Sequence, residues 1–214
     1  MSTEGTTAVT DLALALLAWA GARRLHARGR PGLLRGTWVA ALITFGGAAA
    51  LGAAAHGLPL SDASRELLWQ PLYLALGVAV ALFVMASVAA GWGDSAARRL
   101  RPWLLAAAAG FYLLTRLRDG DFLVFVVYEG VGLVFALVVH LWLARRPVAG
   151  AGWVAVGLAV SLLAGAIQAV DTLTLRLVWT FDHNGVYHLV QGGGLLVLLH
   201  GLRRLLDPTA TSPA

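Results

Sequence analysis

Long apolar runs alternate with short polar connections along the whole chain. Seven apolar segments can be marked, at residues 7–22, 36–56, 67–90, 100–116, 121–144, 150–171 and 184–205. Each approaches the ~20 residues a helix needs to cross a bilayer, the first and fourth being the shortest. Charges fall between the runs rather than along them. A soluble helical domain would instead carry a charged face on each helix. Pro31, Pro59, Pro102 and Pro147 fall near the expected helix ends, where proline punctuates helices. The pattern predicts an all-α polytopic membrane protein, a seven-transmembrane helix bundle over residues 1–206 with a short polar tail at 207–214. The first stretch is expected to be a retained helix and not a cleaved leader. Its first twenty-two residues hold no basic residue and carry Glu4 and Asp11, so the positive start of a signal peptide is missing.

Orientation follows from arginine. The first, third and fifth connections and the tail hold Arg23, Arg24, Arg28, Arg30, Arg35, Arg98, Arg99, Arg101, Arg145, Arg146, Arg203 and Arg204. The other side holds only Arg65, Arg116, Arg118 and Arg176. The positive-inside rule puts the richer side in the cytoplasm and the amino terminus outside. Trp19, Trp38, Trp92, Trp103, Trp142 and Trp153 then fall near the cytoplasmic ends, and Trp69, Tyr73 and Trp179 near the outer ends, as an aromatic belt predicts. Small residues crowd the second segment (Gly46, Gly47, Gly52) and the seventh (Gly192, Gly193, Gly194). Small faces allow close approach, so these two helices are expected at the centre of the bundle.

Composition sharpens this picture. The chain is 59% hydrophobic and 13% charged over 214 residues, against about one quarter charged in soluble domains. All sixteen basic residues are arginine. Without lysine there is no retinal Schiff base, so a light-driven opsin is excluded. Without cysteine there are no disulfides, thiolate ligands, haem thioethers or cysteine nucleophiles. The net charge of +5 sits in short connections beside apolar runs, so topology accounts for it and no nucleic-acid partner is expected.

The acids and histidines sort by side. Asp62, Glu66, Asp119, Asp121, Asp171 and Asp182 gather on the outer side, with Glu129 about two turns into the fifth segment. His26, His140 and His200 belong to the other side, the last two read as interfacial side chains near terminal carbonyls. His56 ends the second segment, and His183 and His188 open the seventh at the same depth. Three imidazoles beside carboxylates suit zinc, which leaves a water in its fourth position when catalytic. His56, His183 and His188 are the candidate ligands, with Asn184 or Asp182 as substitutes. Glu66 is the candidate group that orients or deprotonates the bound water. Asn184, His188 and Gln191 form one polar stripe, and Gln168, Asp171 and Thr172 a second. Each has a structural alternative: Asp182 as a helix cap, His188 as an interhelical hydrogen bond, Glu129 as the partner of Arg116.

These residues resemble the CREST superfamily of seven-helix membrane hydrolases, which includes alkaline ceramidases, progestin and adipoQ receptors and hemolysin III-like bacterial proteins. His56 matches the family's helix-two histidine, Glu66 lies close to its acid position, and His188 matches the second histidine of its helix-seven HxxxH motif. Asn184 stands where the first histidine would fall, and Gly52 where the helix-two serine would fall. The resemblance implies zinc held by the three histidines and a water attacking a lipid amide. The function expected is a zinc-dependent hydrolase of lipid amides or esters in the bacterial inner membrane, with membrane lipids as partners. Two other functions stay open: a small transporter or proton-linked channel using Glu129, Asp171 and His188 as relay groups, and a non-catalytic sensor or assembly protein.

Overall fold

The computed structural model describes residues 2–27, 31–170 and 172–207, with Phe122 described in its backbone only. Arg28, Arg30, Asp171 and the tail beyond Asp207 lie outside the described residues. Seven helices are present among them: α1 (Thr3–His26), α2 (Leu33–Gly57), α3 (Asp62–Trp92), α4 (Asp94–Leu117), α5 (Phe122–Ala144), α6 (Ala151–Gln168) and α7 (His183–Leu205). Six of them are long and apolar enough to cross a membrane. The exception, α4, carries Asp94, Arg98, Arg99 and Arg101 in its first two turns. This is the architecture of an integral membrane protein.

The helix starts differ between the two ends of the bundle. At the end holding the amino terminus, oxygen side chains cap every start: Ser2 accepts from Gly5 N (3.2 Å), Ser61 from Ser64 N (3.2 Å), Asp121 from Leu123 N (2.9 Å) and Asp182 from Gly185 N (2.8 Å). Such caps satisfy first-turn N–H groups that have no partner within the helix. At the arginine-rich end, α2, α4 and α6 start at Gly32, Gly93 and Gly150 without a side-chain cap. Gly93 and Gly150 have φ of +84° and +80°, a backbone region that glycine adopts freely.

The caps also explain the boundaries that differ from expectation. Ser61 starts α3 five residues before the apolar run begins, so Pro71 lies inside the helix. The turn at Gly93 starts α4 early, so Pro102 is internal rather than terminal. The sixth helix stops at Gln168, short of residue 171, and the chain then forms an unexpected hairpin. Its two strands, β1 (Leu175–Arg176) and β2 (Thr180–Phe181), pair Leu175 with Phe181 and Arg176 with Thr180. Two-residue strands are too short for periodicity to signal.

The helices pack as a ring. α1 contacts α2, α2 contacts α3, α3 contacts α5, α5 contacts α6, α6 contacts α7, and α7 returns to α1; α4 lies outside, mainly against α3. The core inside the ring includes Trp38, Leu42, Leu133, Leu158, Leu195 and Leu202. Trp38 is therefore a core residue, fully buried against Phe83 and His140, and not part of an interfacial belt. Among the described residues no helix occupies the centre, so α2 and α7 are not central as expected. Their small residues instead draw neighbouring pairs together. A methyl at Gly46 would lie 2.5 Å from the Trp19 indole nitrogen, and one at Gly201 would lie 2.6 Å from Val154 N.

A methyl at Gly157 would lie 2.7 Å from Leu198 N and 2.8 Å from its Cα, and backbone atoms cannot swing aside. Gly157→Ala is therefore expected to destabilise the bundle by about 1–3 kcal/mol. Gly47, where a methyl meets nothing within 4 Å, is the control. Thermal unfolding in detergent should show a lowered midpoint for Gly157→Ala and none for Gly47→Ala; equal midpoints would mean the α6–α7 contact is loose.

Candidate functional site

One face of α1 is polar inside an otherwise apolar helix. Thr6, Thr7, Thr10 and Asp11 recur at helical spacing, and all four are buried. Each meets α7 or the segment that leads into it. The Thr6 hydroxyl contacts Thr180 O at 2.9 Å, and the Thr7 hydroxyl donates to the Asp182 carboxylate at 3.0 Å. One turn deeper, Thr10 Oγ1 lies 3.0 Å from His188 Nδ1, and Asp11 Oδ1 lies 3.1 Å from His188 Nε2. Both ring nitrogens of His188 are thus engaged.

Thr10 Oγ1 also lies 2.9 Å from both Thr6 O and Thr7 O, and its one hydrogen can serve these carbonyls. Nδ1 of His188 meets this hydroxyl, and a single hydrogen lies between Nε2 and Asp11. Burying an acid in an apolar bundle is costly unless it is paired. Here the imidazole is the pair.

The Asp11–His188 pair forms part of the wall of a cavity of about 360 Å³. His56, Gln168, His183, Asn184 and Tyr187 line it too, above an apolar floor that includes Phe45, Leu76 and Phe125. Gly52 admits the acid: a methyl there would lie 2.7 Å from Asp11 Oδ2. His56 Nδ1 lies 2.7 Å from Glu4 Oε2, with its ring edge-on to Trp69. Gln168 Nε2 donates to Asn184 Oδ1 at 3.2 Å, tying the end of α6 to the start of α7.

The structure thus brings together His56, His183, His188 and Asn184, and it separates two other expected site residues from them. Glu66 lines a different depression, with Gln70, Arg116 and Asp119. Trp69 and Tyr73 line both hollows and stand between them. Because α3 begins at Asp62, Glu66 lies on the helix face that leads to Gln70 and Tyr73, and not on the face that leads to Leu72 and Leu76. Asp182 is a cap and the acceptor of Thr7, and does not line the cavity. Among the described residues no three imidazoles or carboxylates are grouped closely enough to hold one metal ion. The three histidines share a cavity without forming a chelating set, because His188 turns both nitrogens toward α1.

Asp11 and Thr10, which hold His188, are the residues of this site that the sequence reading missed. Asp11 counted only as an acid of the amino terminus. The signal was present in the spacing of Thr6, Thr7, Thr10 and Asp11, a polar stripe within an apolar run. Away from the site, His140 is fully buried with Nδ1 against Ala136 O at 2.9 Å, one turn back along α5 and not at a helix terminus. His200 is exposed, edge-on to Trp153.

Glu129 lines a separate hollow of about 30 Å³ with Ser161 and Gln191. That is room for a water molecule. Among the described residues Glu129 has no ion-pair partner, and Arg116 stands in the other depression. Glu129→Gln should therefore keep or raise the thermal midpoint, since it replaces a carboxyl that has no ion-pair partner with a neutral side chain of the same size. Matched losses in Glu129→Gln and Arg116→Gln would instead reveal an ion pair.

A model of a family described as a family of unknown function, DUF6962, matches residues 6–207. No curated protein and no solved structure matches the chain.

Proposed function

We propose that this chain, which belongs to the family of unknown function DUF6962, hydrolyses lipid amides or esters inside the membrane. The observation that carries this reading is the buried Asp11–His188 pair on the wall of a cavity with a polar rim and an apolar floor. Such a cavity suits an amphiphile whose scissile bond lies at the rim and whose chain lies on the floor.

The chemistry assigned to the pair is proton transfer. Water beside Asp11 and Gly52 gives a hydrogen to the pair as its oxygen bonds to the carbonyl carbon. The pair then returns that hydrogen to the leaving nitrogen or oxygen as the bond to carbon breaks. The products are a carboxylic acid and an amine or alcohol. Thr10 acts as a positioning residue, since it holds Nδ1 and does not line the cavity. Asn184, Gln168 and Tyr187 offer donors on the same wall for the developing oxyanion. The zinc implied by the CREST resemblance does not fit the three histidines as they stand, and no step is assigned to it.

All seven helices cross the bilayer in this reading, with the amino terminus and the cavity on the outer side. The unequal distribution of arginine supports that orientation. The absence of cysteine makes it directly testable. A membrane-impermeant maleimide should label Ser61→Cys in intact cells and Ser95→Cys only after permeabilisation. The reverse pattern would invert the topology.

Purified protein in mixed micelles should release fatty acid from an N-acyl sphingoid amide or a long-chain acyl ester. Asp11→Asn and His188→Gln should each slow release by about 10²-fold or more while the folded protein still binds the amphiphile. Binding without release in the wild type, or full turnover in both variants, would defeat the reading. One zinc per chain by elemental analysis, lost in His188→Gln, would replace it with a metal-dependent route.

A further inference from the structure

The arginine-rich end of the bundle carries a second hollow, unrelated to the Asp11–His188 cavity. α4 leans on α3 from outside the ring, and a groove of about 650 Å³ opens between α2, α3 and α4. Two glycines open its α2 side: a methyl at Gly32 or Gly36 would meet nothing within 4 Å. Ala40, Leu82, Met85 and Leu105 make most of the remainder apolar, and the Thr37 hydroxyl is turned back to Leu33 O at 2.8 Å. Charge enters at one end only, through Arg98 and Arg101, which lie three residues apart on α4 and so on one face.

These arginines are poorly neutralised by the protein. Arg98 lies 3.9 Å from Asp94 in an exposed i,i+4 pair, a weak contact. Arg101 has no carboxylate partner among the described residues. An apolar slot with two guanidinium groups at one end has the polarity of a phospholipid with an anionic head. Arginine pairs with phosphate through two parallel hydrogen bonds. A partner helix would instead present apolar side chains along the whole slot and leave both arginines unanswered.

We infer that the groove is a binding site for an anionic glycerophospholipid, with its phosphate on Arg98 and Arg101 and an acyl chain along Leu82, Met85 and Leu105. The lipid fills the gap that α4 leaves by standing outside the ring, and so fastens α4 to α2.

The test compares purified full-length protein in micelles doped with phosphatidylglycerol or with phosphatidylcholine of the same chains. Phosphatidylglycerol should raise the thermal midpoint by several degrees more than phosphatidylcholine, and native mass spectrometry should retain it on the protein. The difference should vanish in Arg98→Gln/Arg101→Gln. It should survive in Arg99→Gln, which alters the same turn of α4 outside the groove. Gly36→Leu should also abolish it by filling the slot while both arginines remain, and this variant decides the matter if the double variant does not fold. Equal stabilisation by the two lipids, an unchanged response in Gly36→Leu, or the same shift from inorganic phosphate alone would overturn the inference.

Discussion

The closure of the helix ring depends on one polar seam between the first helix and the last. Thr6, Thr7, Thr10 and Asp11 of α1 meet Thr180, Asp182 and His188 across it. In an apolar interior each of these groups would be costly alone, because no bulk water answers it. They answer one another. Asp182 serves twice, capping α7 and accepting from Thr7, so the start of the helix and the closing of the ring share one carboxylate. The cavity exists because the seam holds α1 and α7 at a fixed spacing beside α2.

Glycine plays opposite parts around the ring. Gly157 and Gly201 bring α6 and α7 into backbone contact, which small residues permit between membrane helices. Gly52 does not draw two helices together but leaves room for a carboxylate. A serine is expected at that position from the CREST resemblance, and here the space beside Gly52 receives Asp11 from another helix. A polar group thus reaches that place by a different route through the chain.

The fold was legible because hydrophobic runs and polar connections register on the scale of a whole helix. Convergence of His56, His183, His188 and Asn184 was legible too, since all four fall at helix ends on one side. What resisted reading was direction around a helix axis. Glu66 is ten residues from His56 in sequence, yet α3 starts early enough to place it behind Trp69 and Tyr73. His183 and His188 suggested a shared ion, but His188 faces α1. Asp11 was overlooked because a single acid in an apolar run carries topological information first. Its meaning required the threonines at helical spacing and a partner on α7.

The seam also has a consequence in time. Its contacts join residues 174 to 178 positions apart, so α1 emerges from the ribosome long before α7 exists. During that interval Asp11 lacks its imidazole, and the polar face of α1 has no partner. Long-range pairing of this kind comes late in folding. Synthesis of α7 is therefore the event that locks α1 in place, and a nascent chain stopped before His188 holds an acid without its partner.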